Sequence, residues 1–115
     1  MRVGWIVNEL VERLARAEQP VAVGGPSPQV ADLQERIEQL QYVFIKFTDT
    51  RGGTDLGVSL DKTATQTAQA DFTRATGTVH IEGTLTLDFV PVRCIADINL
   101  ATLTGTGRLV VQPTA

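Results

Sequence analysis

The sequence predicts one α+β domain in which N-terminal helices pack on an antiparallel β-meander. The chain has 115 residues, of which 43% are hydrophobic and 20% are charged, as in an ordinary globular domain. All fifteen threonines follow residue 47, and threonine is β-branched and suits strands. Polar and apolar residues alternate from Gly77 to Phe89, which is the period of a strand with one buried face. We therefore expect helices at about 2–18 and 28–40, a sheet at about 42–112, and a single domain made of a helical part (1–41) and a β-sheet part (42–115).

The first helix is predicted by apolar residues that recur every three or four positions, at Val3, Val7, Leu10 and Leu14. Gln19-Pro20 ends this pattern. The stretch that follows, from Pro20 to Pro28, is rich in glycine and proline and is typical of a connector.

The second helix has a recognisable start. The Ser27 hydroxyl can accept a hydrogen bond from the first turn, and Pro28 suits the next position because its missing N–H costs nothing there. Its apolar stripe consists of Val30, Leu33, Ile37 and Leu40. The stretch 41–47, QYVFIKF, allows two interpretations, because Phe44 and Phe47 continue the stripe while its aromatic and β-branched residues favour a strand. We prefer the strand.

The rest of the chain contains further strands. Leu56, Val58 and Leu60 alternate with polar or small residues, while 62–72 is predicted as a weak edge strand, with a loop as the alternative. The run from Gly77 to Phe89 places its odd-numbered residues in the core, and Gly83 is expected to mark a bulge or bend. A break at Pro91 and a turn at 104–107 separate the last strands, whose inward residues are Val92, Cys94, Ala96, Ile98, Leu100, Leu109 and Val111.

The only histidine and the only cysteine of the chain, His80 and Cys94, lie in these strands. Alternation places His80 on the polar face, with Glu82 as a neighbour, and Cys94 on the apolar face. A cysteine–histidine pair would need both side chains on one face, so we predict a surface histidine and an inert core cysteine, both dispensable for activity.

Composition excludes several classes of function. A net charge of −3 and a pI of about 5.0 disfavour nucleic-acid binding. No apolar run is long enough for a transmembrane helix or a signal-peptide core. A lone cysteine excludes an intrachain disulfide and fits a cytoplasmic location. No motif predicts a catalytic centre, a metal site or a cofactor.

The GGTDLGV segment (52–58), with a helix before it and a threonine-rich strand after it, resembles small domains that accompany trypsin-like effectors in bacterial conflict systems. The resemblance covers roughly Tyr42 to Phe89 and implies an adaptor-type domain. The two-helix start and the three-strand tail depart from it, so no residue role is transferred.

We therefore expect a non-enzymatic interaction or assembly module that forms homo-oligomers, with another protein as a second kind of partner. Trp5, Ile6 and Val11 widen the apolar surface of the first helix, and a short helix must pack on something. The expected oligomer contact is formed by Val3, Trp5, Val7, Leu10 and Leu14. The alternative is a small ligand-binding protein or enzyme with a pocket under a curved antiparallel sheet, lined by Cys94.

Overall fold

Six antiparallel strands form a closed barrel in this computed structural model, which describes residues 9–26, 28–50 and 52–112. The elements in chain order are α1 (Glu9–Arg16), β1 (Gln19–Val23), α2 (Val30–Glu35), a π-helical segment (Arg36–Leu40), β2 (Tyr42–Phe47), β3 (Thr54–Leu60), β4 (Ala70–Asp71), β5 (Thr76–Leu87), β6 (Val90–Asn99) and β7 (Thr104–Val111). The strand order is β3-β2-β1-β7-β6-β5, with a further pairing between β3 and β5. The predicted α+β class and antiparallel meander are therefore present, but the meander closes on itself.

The barrel closes where β3 crosses β5. Ser59 pairs with Thr84 and Leu60 pairs with Gly83. A Cβ atom at Gly83 would lie 2.3 Å from the carbonyl oxygen of Ser59, so only glycine lets the two backbones approach this closely. Gly83, which was expected to mark a bulge or bend, serves here as a point of close strand approach.

The core fills the inside of the barrel with apolar side chains. Inward residues of β5 and β6, such as Val79, Ile81 and Cys94, are fully buried in one cluster with residues from the other barrel strands and both helices. Burial decreases toward the end of β5, where Leu85 and Leu87 are only half-buried. The predicted inward face is therefore correct in the middle of these strands and only partly covered toward the end of β5, whereas Phe89 and Val111, also predicted to face inward, are exposed.

The predicted connector at 20–28 is wrong in its first part, because β1 lies there between β2 and β7. Val21 and Val23 are buried in the core. Proline has no backbone N–H to donate to a neighbouring strand, and it is tolerated at Pro20 because this residue lies near the start of β1. The carbonyl of Pro20 accepts a hydrogen bond from the N–H of Thr48 at 3.2 Å. Two inward valines beside proline and glycine gave too short a pattern to indicate a strand.

The described bounds of the two helices differ from the predicted ones. Within the described residues α1 ends at Arg16 and packs on β7, and its expected start lies outside them. Ser27 is also outside the described residues, and Gln29 occupies the N-cap position of α2. The second helix reaches Leu40 through the π-helical segment and ends at Gln41, whose φ of 54° is left-handed.

Two ambiguous stretches are resolved. The strand interpretation of QYVFIKF is confirmed, since β2 begins directly after Gln41. In the stretch 62–72 only Ala70 and Asp71 form a strand, and most of the remainder consists of turns. No helix in the described part of the chain is long and apolar enough to cross a membrane.

Candidate functional site

Five charged side chains form a continuous ionic chain on the outer face of β5 and β6. The Arg93 guanidinium donates from Nη2 to Asp61 and to Glu82, both at 2.8 Å, and from Nε to Glu82 at 3.0 Å. Glu82 in turn contacts Nε2 of His80 at 2.6 Å, and Nδ1 of His80 contacts Asp97 at 2.7 Å. The ionic chain thus runs through Asp61, Arg93, Glu82, His80 and Asp97.

The register of the β5–β6 hairpin brings most of these groups together. His80 lies directly opposite Asp97, and Arg93 lies opposite Thr84, one diagonal step from Glu82. Asp61 arrives from the turn after β3, where its N–H donates to the carbonyl of Glu82 at 2.8 Å. The ionic chain therefore joins the two strands of the hairpin to the segment that closes the barrel.

The contacts of His80 determine its protonation. Each ring nitrogen of His80 faces a carboxylate, and a ring nitrogen can donate a hydrogen bond to a carboxylate only when it carries a proton. The doubly protonated imidazolium is therefore the favoured form of the ring. The hydrogen bond to Glu82, followed by the contacts with Asp97, raises the pKa of His80. In return, hydrogen bonds from His80 and Arg93 lower the pKa of Glu82. The Arg93 guanidinium, with the Thr63 hydroxyl, lowers the pKa of Asp61 to about 2.

This arrangement favours a structural role over proton transfer. A general base needs a free lone pair that faces a substrate, and both nitrogens of His80 are engaged. The side chain is 29% exposed, less than expected for a surface histidine, and the backbone of His80 pairs with Gln66 in the segment after β3. Glu82 was the expected neighbour of His80, whereas Asp61, Arg93 and Asp97 come from pairings that alternation does not reveal.

Cys94 lies on the opposite face from His80, as alternation predicted. Its side chain is fully buried, and burial raises the pKa of the thiol to about 12. A thiol with so high a pKa carries almost no thiolate at neutral pH and is a poor nucleophile. No group of three or more metal-ligating side chains lies close enough together to hold a metal ion within residues 9–26, 28–50 and 52–112.

Apolar side chains occupy the inside of the barrel, where the alternative interpretation of the sequence places a pocket. The inward side chains of the barrel belong to the core cluster, and no polar or charged residue is buried in the described part of the chain. Cys94, the one reactive group expected there, is packed as a core side chain. The concave space considered below is a groove that is open to the surface.

The tip of the β5–β6 hairpin is a second unusual feature. Leu87 pairs with Val90, so Asp88 and Phe89 form a two-residue turn. Their φ angles of 47° and 69° are both positive, as a type I′ turn requires. Asparagine, aspartate and glycine adopt this conformation readily, but a bulky aromatic residue rarely does. The Phe89 side chain is 98% exposed, although alternation had placed it in the core.

The expected oligomer contact on the first helix is only partly described. Leu14 is fully buried against its own protomer and Leu10 is half-buried, so the described face of α1 packs inward. Val3, Trp5 and Val7 lie outside the described residues. A contact between protomers through this helix stays a prediction.

No family model matches the chain, and no curated protein is significantly similar to it.

Proposed function

We propose that the protein is a non-enzymatic assembly module that associates with itself through exposed apolar side chains. The observation that carries this proposal is Phe89, an aromatic side chain that is 98% exposed at a hairpin tip. Neighbouring apolar groups enlarge the surface: Val90 is half-buried, and Val111 on the adjacent strand is 48% exposed. These side chains lie at the same end of the sheet, since Val111 pairs with Val92, and a contiguous exposed apolar patch typically marks a contact site.

The backbone at Phe89 supports a role beyond folding. A left-handed conformation costs a non-glycine residue about 1–2 kcal/mol, and an exposed ring recovers none of it through packing within the protomer. Glycine or asparagine would make the same turn at lower cost. An aromatic ring retained at such a position is better explained by contact with a partner than by the stability of the hairpin.

The reactive side chains support an assembly role over catalysis. His80 is held between two carboxylates, Arg93 is paired with two carboxylates, and the Cys94 thiol is buried. These groups satisfy one another or the core, so none is oriented toward an open pocket. The remaining prediction, an adaptor-type domain of a bacterial signalling or conflict system in the cytoplasm, rests on the resemblance of the segment 42–89 and on composition.

Light scattering coupled to size exclusion tests the proposal across a concentration series from below to above micromolar. We expect a mass above that of the 12.4 kDa monomer, rising with concentration. Phe89→Gly is expected to lower that mass while the fold is kept, and Thr86→Gly, at an exposed position on the same hairpin, serves as the matched control. A wild-type protein that stays monomeric throughout overturns the proposal.

A further inference from the structure

We propose that Phe89 of one protomer inserts into a groove on a second copy of the same chain. This inference rests on the proposed self-association and identifies the two surfaces that meet. The groove is open at the surface and has a volume of about 160 Å³, and its lining consists of Ile37, Leu60, Lys62, Thr65 and Thr67.

The groove has the size and the lining that an aromatic ring needs. A space of about 150 Å³ with aliphatic walls is large enough to bind benzene, the size of the Phe89 ring. Ile37 and Leu60 supply an apolar floor, since both are half-buried and pack against the barrel core. The two threonines and Lys62 form a polar rim, which is the usual border of a protein contact.

The charges of the tip and the groove are complementary. Asp88 precedes Phe89 in the turn, and Lys62 borders the groove. No carboxylate in the described ranges lies within ion-pair distance of Lys62. Insertion of Phe89 would bring the exposed side chain of Asp88, which also interacts within its own protomer, close to the ammonium of Lys62. Opposite charges at the rim of a contact guide association and fix its register.

A second exposed apolar residue lies beside the groove. Leu40 is 57% exposed, three residues after Ile37 in the π-helical segment. It immediately precedes Gln41, whose carbonyl accepts from the N–H of Leu60 at 3.0 Å. Insertion of the tip would therefore cover Leu40 and Phe89 together, the two most exposed large apolar side chains of the described residues.

The spacing of tip and groove suits a closed pair. Leu60 of the groove pairs with Gly83 of β5, and Phe89 lies six residues further along. At about 3.3 Å per strand residue, tip and groove are about 20 Å apart along the hairpin. When the hairpins of two protomers lie side by side in opposite directions, the tip of each protomer comes near the groove of its partner. The two tip–groove contacts then form together around a two-fold axis.

Site-directed cross-linking of the full chain tests this contact. The Asp88→Cys variant is mixed with the Lys62→Cys variant, and the mixture is oxidised mildly. Both variants keep Phe89. The native Cys94 is buried and does not compete. We expect a disulfide-linked dimer in the mixture that exceeds the amount in either variant alone by at least about tenfold. Thr78→Cys, an exposed position of the same hairpin ten residues before Asp88, should give no such excess with Lys62→Cys.

A charge exchange gives an independent readout. Lys62→Asp and Asp88→Lys are each expected to weaken association about tenfold, and the double variant to restore it to within about threefold of wild type. If wild type associates but the double variant binds no better than the single variants and cross-linking is not selective, the tip meets another surface and only this inference fails. If wild type is monomeric, the proposed function itself fails.

Discussion

Replacing Phe89 with glycine is expected to raise the free energy of unfolding of the monomer, although the change deletes a large apolar side chain. The left-handed backbone costs phenylalanine about 1–2 kcal/mol, and glycine removes that cost. Glycine also gains freedom in the unfolded chain, which costs the folded state about 0.5–1 kcal/mol. The ring is 98% exposed, so no packing is lost. The net gain is therefore about 0–1.5 kcal/mol, or about 0.75 kcal/mol at the midpoints of the two ranges.

Urea unfolding followed by circular dichroism measures this difference. The experiment belongs at a concentration where light scattering shows monomers, because self-association stabilises the wild type by mass action and would mask the gain. Thr86→Gly is the control, because it is expected to change the free energy of unfolding in the opposite direction. Thr86 is exposed within β5 and has no left-handed backbone to relieve, so glycine there is expected to destabilise by about 0.5–1 kcal/mol.

A loss of stability in monomeric Phe89→Gly, similar to that of Thr86→Gly, would refute this reasoning. It would mean that the ring packs on its own protomer. The stability of the variant also decides how its mass is interpreted, since a variant that is more stable and yet less associated has lost a contact and not its fold.

Two further predictions concern the long hairpin. Ile81→Ala is expected to lower the free energy of unfolding by about 2–5 kcal/mol, measured by denaturant unfolding, because the side chain is fully buried. Leu87→Ala, at a half-buried position, should cost less, and Thr84→Ala, at an exposed position, less than about 0.5 kcal/mol. The reverse order would mean that the opposite face of the hairpin is buried. The raised pKa of His80 means that its stabilisation is complete below the pKa of an unfolded histidine, about 6.5, and is lost as pH rises through the higher folded pKa. Unfolding free energy measured against pH should therefore fall above about pH 6.5 in wild type but not in His80→Gln, and parallel curves would show that the imidazolium of His80 does not stabilise the fold.

The inward face of the barrel wall could be predicted from the sequence because alternation is a local property. Val79 and Ile81 of β5 and Cys94 of β6 are buried, as their period required. The same alternation places His80 and Cys94 on opposite faces of the sheet, which excludes a catalytic cysteine–histidine pair formed by these two residues. Strand β2 was also recognisable, because aromatic and β-branched residues outweighed the helical stripe that preceded them.

Tertiary structure decided which distant segments pair, because hydrogen-bonding partners and register leave no trace in a short sequence window. Closure of β3 on β5 and the insertion of β1 between β2 and β7 are contacts of this kind. The ionic chain depends on the closure as well, since Asp61 reaches Arg93 from the turn that follows β3. Asp97 and Arg93 in turn reach His80 and Glu82 through the register of the β5–β6 hairpin.

Phe89 marks the limit of the local rule. The alternation that correctly buries Val79 and Ile81 also assigns Phe89 to the core. The chain reverses at Asp88, however, and a residue in a turn with positive φ no longer follows the two-residue period of the strand. The sequence by itself determined the wall of the barrel, whereas the position of the turn, and with it the exposure of the aromatic ring, was decided by where β6 begins to pair with β5.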